Sequence, residues 1–113
     1  MTSVASGYRA EVVAANYLRD QHFEVVAQNW RTRYCEIDLV AVRTDTVYFV
    51  EVKYRASNRQ GAGLEYITPT KQKQMAFAAQ IWVHRHGWRG DYRLAALEVS
   101  GPNYLVTSFL TEL

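Results

Sequence analysis

The chain has 113 residues, 49% of them hydrophobic, which suits one compact domain with an ordinary core and excludes a disordered chain. The formal net charge is only +2, so charge alone does not indicate a nucleic-acid-binding protein. The single cysteine, Cys35, excludes an intramolecular disulfide and suits a reducing compartment. The N-terminus lacks the apolar run of a signal peptide, and no apolar stretch approaches the roughly 20 residues of a membrane span. We therefore expect a cytoplasmic protein with one domain over residues 1–113 and no membrane partner.

The apolar spacing predicts a first helix over residues 3–21, with Ser3 as its N-cap. The apolar positions that recur at spacings of three and four are Val4, Tyr8, Val12, Ala15 and Leu18. Glu11 lies within this stripe, where burying an unpaired carboxylate would cost several kcal/mol. It therefore either reaches water at the edge of the helix or points toward a functional site.

Three strands are predicted next. Residues 23–28 form a candidate strand, and residues 29–34 form a polar and aromatic connection. A long hairpin follows over residues 35–54. Its second strand is apolar on both faces, so we expect it at the centre of the sheet. Residues 55–67 contain glycines and read as a loop.

The second half of the chain has clear boundaries. Thr68 and Pro69 predict the start of a second helix, and Gly87 predicts its end. Residues 91–99 and 104–110 predict a closing hairpin. The predicted order is α-β-β-β-α-β-β, an α/β domain with a mixed central sheet flanked by helices.

The turn of the long hairpin decides where its acidic residues lie. A loop at residues 44–45 places Asp38 opposite Glu51, and Glu36 opposite Lys53. Side chains two apart share a face, so Asp38, Glu51 and Lys53 fall in one patch, with opposed Cβ atoms ~5 Å apart. Two carboxylates that close repel each other unless a cation lies between them. A loop of odd length would break this register.

This patch suits divalent metal chemistry. Mg²⁺ takes oxygen ligands, usually one or two carboxylates with water and substrate phosphate. Asp38 and Glu51 would supply the carboxylates, and the Val52 carbonyl another oxygen. Lys53 would orient the attacking water, stabilise the developing charge or act as a base. The competing interpretation is an ion-pair cluster, which is common on strands and has only a structural role.

The remaining chemistry-bearing residues support no alternative catalytic centre. His84 and His86 diverge on a helix, so they are poor joint metal ligands and are predicted at the surface. Cys35 is predicted to be a small buried residue rather than a nucleophile. Base stacking by Trp30 or Trp88 has no support in the pattern.

The segments 35–41 (Cys-Glu-Ile-Asp-Leu-Val-Ala) and 47–55 (Val-Tyr-Phe-Val-Glu-Val-Lys-Tyr-Arg) resemble the YraN-like family of uncharacterised bacterial proteins. Those proteins resemble small members of the PD-(D/E)xK nuclease superfamily, which includes restriction endonucleases and archaeal Holliday junction resolvases. The segment Gly7-Tyr-Arg-Ala-Glu11 is similar to the family's helical Gly-x-x-Gly-Glu pattern. The resemblance implies a restriction endonuclease-like fold and Mg²⁺- or Mn²⁺-dependent cleavage of DNA, with branched or damaged DNA as a candidate substrate.

The resemblance also implies roles for individual residues. Asp38 and Glu51 match the two metal-binding acids, Lys53 the catalytic lysine, and Glu11 the helical acid that supports the metal. Cys35 stands where the family usually has glycine, beside these residues.

A basic segment after the hairpin supplies candidates for phosphate contact. They are Arg55, Arg59, Lys71 and Gln72, of which Lys71 and Gln72 resemble the Lys-Gln that opens the family's second helix. Junction-cutting relatives are dimers, so analogy leaves a homodimer open. The competing hypothesis is a non-catalytic nucleic-acid-binding protein with the same fold. The sequence does not distinguish DNA from RNA as the substrate, nor does it indicate the preferred substrate structure.

Overall fold

Elements of the computed structural model, which describes residues 3–57 and 67–113, follow one another in the predicted order α-β-β-β-α-β-β. They are α1 (Ser3–Asp20), β1 (Glu24–Arg31), β2 (Glu36–Arg43), β3 (Thr46–Arg55), α2 (Pro69–His86), β4 (Asp91–Ser100) and β5 (Leu105–Leu110). The strands form a sheet of order β1-β2-β3-β4-β5, in which β3 and β4 are parallel and the other neighbours are antiparallel. This confirms the α/β, mixed-sheet, restriction endonuclease-like fold class.

A two-residue turn joins β2 to β3, as the register argument required. Thr44 adopts a left-handed φ of 56°, and the backbone pairs run from the turn as far as Leu39 opposite Val50. The Asp45 carbonyl accepts a hydrogen bond from the Asp91 N–H at 3.0 Å, which ties the turn to the start of β4. The even length of this turn is therefore confirmed, and the predicted register holds as far as Leu39 opposite Val50. The predicted pairing of Glu36 with Lys53 is not part of this ladder, and Glu36 pairs with Arg31 of β1 instead.

Strand β3 lies at the centre of the sheet and is buried on both faces, as predicted. Tyr48 and Val50 belong to the core on the α1 side, and Val47 and Phe49 to the core on the α2 side. The Phe49 ring meets the Trp82 ring edge to face, with centroids 5.6 Å apart. Each helix therefore covers one face of the sheet.

The predicted buried stripe of α1 is wrong in part. Tyr8 and Val12 are 67% and 41% exposed, whereas Ala10, Ala14 and Leu18 are fully buried. Small alanine side chains let a helix backbone lie close to a sheet, and that close packing outweighs the burial of two larger side chains. Periodicity alone does not distinguish two neighbouring stripes on one helix.

Strand β1 extends beyond its predicted end at Gln28 and continues to Arg31. Trp30 pairs with Ile37, and Arg31 pairs with Glu36. The Arg31 Nε lies 3.0 Å from a Glu36 carboxylate oxygen, so an ion pair reinforces the end of the ladder. The connection to β2 is accordingly shorter than the sequence predicted.

Helix α2 begins and ends as predicted. The Thr68 hydroxyl accepts a hydrogen bond from the Lys71 N–H at 3.1 Å, and Pro69 occupies the first helical turn. Gly87 follows the helix with a left-handed φ of 60°. The buried residues of α2 are Met75, Ala78, Ala79 and Trp82.

The predicted loop over residues 55–67 lies largely outside the described residues. Within the described part of the chain, neither helix is both long and apolar enough to cross a membrane.

Candidate active site

Strands β2 and β3 diverge at Asp38. The backbone ladder between them runs as far as Leu39 and Val50, and Asp38 is the next residue of β2. Its carboxylate Oδ2 accepts a hydrogen bond from the Val52 N–H at 2.7 Å. A side chain therefore takes the position that a strand carbonyl would otherwise occupy, and the carboxylate is held inside the opening.

The Asp38 and Glu51 carboxyl groups share a hydrogen bond. Burial raises the pKa of Asp38 to about 9, together with the hydrogen bond and the negative charge of Glu51, while the Val52 N–H opposes the shift. At neutral pH the metal-free pair therefore retains a proton. The juxtaposition predicted from the turn is present in the structure.

Glu11 approaches this pair from α1. Burial raises the pKa of Glu11, a hydrogen bond from the Asn29 side chain lowers it, and the charges of Glu36 and Glu51 raise it further. Glu11 is therefore partly buried beside Asn29, within electrostatic range of Glu36 and Glu51. Within residues 3–57 and 67–113, however, no three acidic, histidine or cysteine side chains lie close enough to form a ready-made metal cluster. Glu11 thus contributes charge at longer range than Asp38 and Glu51 do.

Lys71 reaches the same pair from the first turn of α2. Its Nζ lies 2.8 Å from Glu51 Oε2, and both side chains are largely buried. Burial alone would lower the pKa of Lys71, but the hydrogen bond and charge of Glu51 outweigh it, so the pKa is raised and the amine stays protonated. Thr68 fixes this position by capping the Lys71 N–H. Sequence reasoning identified Lys71 as a phosphate contact and missed its ion pair with Glu51.

Lys53 lies on the same face of β3 as Glu51, two residues further on, and its side chain is exposed. It pairs across the parallel ladder with Glu98. The Glu98 carboxylate is buried, accepts a hydrogen bond from the Thr107 hydroxyl at 3.0 Å, and lies 2.8 Å from Arg55 Nε. That last contact lacks hydrogen-bond alignment, so it is chiefly electrostatic. The structure thus gives Arg55 a structural ion pair, which does not favour the predicted phosphate contact.

The other predicted residues are placed as follows. Gln72 is partly buried in the first turn of α2, where its N–H donates to the Thr68 carbonyl at 2.9 Å. Arg59 lies outside the described residues. The Val52 backbone runs past the acidic pair, as its hydrogen bond to Asp38 shows.

Cys35 borders the site without being activated. Burial raises the pKa of its thiol, Lys71 lowers it, and the nearby carboxylates of Glu51 and Asp38 raise it further. A protonated thiol is a poor nucleophile. His84 and His86 are both exposed, as predicted.

The donor set fits a divalent cation. The Asp38 and Glu51 carboxyl groups share a proton in the metal-free protein. They offer the oxygen ligands that Mg²⁺ and Mn²⁺ prefer, and a strand backbone passes beside them. A cation between them would replace that proton and offset their repulsion. Asp38 and Glu51 are the residues that would hold it, with the Val52 carbonyl adjacent.

The fold is of the restriction endonuclease-like class, and its sheet opens at the centre around two acids, with a lysine two residues after the second. Residues 10–99 match the model of the uncharacterised protein family UPF0102. The chain belongs to that family, which confirms the predicted YraN-like resemblance.

Relatives of the chain carry the same family designation. A UPF0102 protein of Chlorobium chlorochromatii is 37% identical over 94 residues, which cover 83% of this chain and 73% of the relative. One of Francisella tularensis subsp. novicida is 32% identical over 114 residues, covering 96% and 97%. One of Rhodococcus jostii is 36% identical over 104 residues, covering 88% of each chain. Their designations name no activity, so they establish the family and leave function to the site.

Proposed function

We propose that the protein is a Mg²⁺- or Mn²⁺-dependent nuclease that hydrolyses phosphodiester bonds in DNA. The observation that carries this proposal is the partly buried carboxyl pair of Asp38 and Glu51, held where two central strands diverge. A strongly raised carboxyl pKa inside a fold is energetically unfavourable to maintain and is typical of functional sites. A solely structural ion-pair cluster gives no reason to bury two acids against each other.

The position of each residue indicates its role in the proposed reaction. Asp38 and Glu51 would hold the cation and would release their shared proton to solvent in doing so. The cation supplies Lewis-acid stabilisation of the phosphate and lowers the pKa of its bound water. Lys53, exposed beside Glu51, orients the water and stabilises negative charge on the scissile phosphate. Glu11 adds negative charge that favours the cation.

Lys71 changes partners during this cycle. In the metal-free protein its ammonium neutralises Glu51 at 2.8 Å. With a divalent cation held by Asp38 and Glu51, Glu51 would no longer need this ammonium, and Lys71 would be available to a DNA phosphate. The phosphate contact predicted for Lys71 therefore belongs to the metal-bound state. Gln72, adjacent in the first turn, and Arg59 are further phosphate-contact candidates.

The competing function is non-catalytic binding of nucleic acid by the same fold. It is favoured only by the basic residues, which both functions need, whereas the acidic pair disfavours anion binding in the absence of a metal. We place the protein in the cytoplasm, in keeping with its unpaired cysteine, and retain a homodimer by analogy with junction-cutting relatives.

The test is a panel of linear, nicked, flapped and four-way DNA, with RNA forms alongside, incubated with Mg²⁺ or Mn²⁺. Wild-type protein is expected to cut at least one form, and Lys53→Ala and Asp38→Asn are expected to be slower by about 10²-fold or more. If wild-type protein cuts none of these forms faster than the Lys53→Ala control does, the nuclease proposal is wrong. Binding that is salt-dependent and unaffected by Asp38→Asn would support the competing function.

A further inference from the structure

Two exposed aromatic rings form a cleft beside the candidate active site. Tyr34 is 58% exposed and Phe77 is 47% exposed, although both are large apolar rings. They meet edge to face, with centroids 5.3 Å apart and planes at 82°. Together with Lys73 and Gln74 they line an open cleft of about 310 Å³. We propose that this cleft stacks one unpaired nucleobase of a nucleic-acid substrate, next to the scissile phosphate at the acidic pair.

The cleft adjoins the acidic pair through its Tyr34 wall. Tyr34 immediately precedes Cys35, which packs against the α2-side core and lies within electrostatic range of Lys71 and Asp38. Phe77 lies on α2 six residues after Lys71, about 9 Å along the helix axis and on a different face of the helix. Tyr34 is therefore the wall nearer the acidic pair, and Phe77 forms the far wall of the cleft.

The Tyr34 wall is held in place before any ligand binds. The connection between β1 and β2 folds around the Thr32 hydroxyl, which accepts hydrogen bonds from the N–H groups of Tyr34 and Cys35 at 3.1 and 3.0 Å. The Thr32 N–H also donates to the Cys35 carbonyl at 2.8 Å. A ring presented by such a rigid turn loses little conformational freedom on binding, which favours affinity.

The Phe77 wall combines an almost wholly apolar lining with a cation beside it. Lys73 and Gln74 lie four and three residues before Phe77, so both neighbour its ring on the surface of α2. Their aliphatic stems extend the apolar lining, and the exposed Lys73 ammonium is available to a phosphate beside the stacked base. Two aromatic rings with a cation alongside are the usual composition of a site that stacks unpaired bases.

The size and chemistry of the cleft favour a base over a protein partner. Its volume is at the lower end of the range for small-molecule sites. An amphipathic partner helix needs a longer apolar groove, with anchors over several turns, whereas this cleft is lined by four residues only. The stacking of one base would direct the proposed nuclease to nicked, flapped or branched DNA rather than to an intact duplex.

This inference rests on the proposed nuclease function, and binding in Ca²⁺, a hard cation that also takes oxygen ligands, tests it separately from cleavage. The probes are a fluorescent duplex that carries a short single-stranded flap and the same duplex without the flap. Wild-type protein should bind the flapped form more tightly, and Phe77→Ala and Tyr34→Ala should each weaken that binding about 10-fold while changing duplex binding by less than about twofold. Tyr34→Phe keeps a stacking ring and should bind as wild type does. Tyr92→Ala removes an exposed ring at the opposite end of the β3–β4 pair from Glu51 and should have no effect.

Three results would overturn the inference. They are equal binding of the two probes by wild type, no binding of either probe, and equal losses on both probes in the alanine variants. Thermal unfolding of each variant shows whether it is folded, and the exposure of both rings predicts that it is.

Cleavage in Mg²⁺ then separates the two proposals. Flap binding that depends on Phe77, without cleavage of any DNA, would retain the cleft and refute the nuclease. Cleavage with a flap preference unchanged in Phe77→Ala would retain the nuclease and refute the cleft.

Discussion

Replacing Asp38 with asparagine is expected to stabilise the metal-free protein. The buried carboxyl has its pKa raised from 3.8 to about 9, so the folded state binds a proton that the unfolded chain releases near pH 4. Between these two values the folded state holds more protons than the unfolded state, and the free energy of unfolding must fall as pH rises. An asparagine has no such proton, and its side-chain oxygen can still accept the Val52 N–H.

The size of the effect follows from the pKa difference. From pH 3.8 to pH 7 the cost of keeping the proton accumulates to about 4 kcal/mol, which is an upper limit because the Glu51 carboxyl shares it. Asp38→Asn should therefore unfold at higher urea concentration than wild type at pH 7. The difference should shrink toward zero near pH 4 and grow toward pH 9.

The assay is urea unfolding in EDTA at a series of pH values, followed by circular dichroism. Glu36→Gln is the matched control on the same strand, because its exposed ion pair with Arg31 is worth less than about 1 kcal/mol. The reasoning is refuted if Asp38→Asn is less stable than wild type at pH 8, or if the difference between them does not depend on pH. Saturating Mg²⁺ should stabilise wild type and leave the variant unchanged.

Two further predictions follow from the packing and the ion pairs. Lys71→Met removes the ammonium that competes for Glu51, so calorimetry should show that Mg²⁺ binds about 5- to 10-fold more tightly. DNA binding should weaken in the same variant. Unchanged metal affinity would mean that Lys71 does not occupy the cation position. Phe49→Ala removes the largest fully buried side chain of the central strand and should cost about 3–5 kcal/mol in urea unfolding, and a loss below about 1 kcal/mol would contradict the core described here.

Local rules were sufficient to predict much of the fold and the centre of the site. The two-residue turn fixed the register of β2 and β3, and the register brought Asp38 to Glu51. The caps at Thr68 and Gly87 set the ends of α2 because each satisfies backbone groups within a few residues of itself. Such features depend on neighbours in the chain, so a single sequence shows them.

The features that sequence reasoning missed depend on contacts between distant segments. The pairing of Lys71 with Glu51 appears only when α2 lies over the end of β3, and the burial of Arg55 only when β4 brings Glu98 beside it. The choice of buried face on α1 depends on how closely alanines approach the sheet. The aromatic pair at Tyr34 joins two segments with no shared periodicity. One local feature, the capping of the Lys71 N–H by Thr68, showed in advance that this lysine lies in the first turn of α2.

Calorimetric titration of Mg²⁺ into wild-type protein and Asp38→Asn, in two buffers of different ionisation enthalpy, tests the central claim most directly. The account predicts that wild type binds the ion and releases about one proton near pH 7, so that the measured heat differs between buffers. Asp38→Asn should show weak binding or none, and little dependence on buffer. Absence of binding by wild type, or equal binding and equal heats for the two proteins, would contradict a metal site at the Asp38–Glu51 pair.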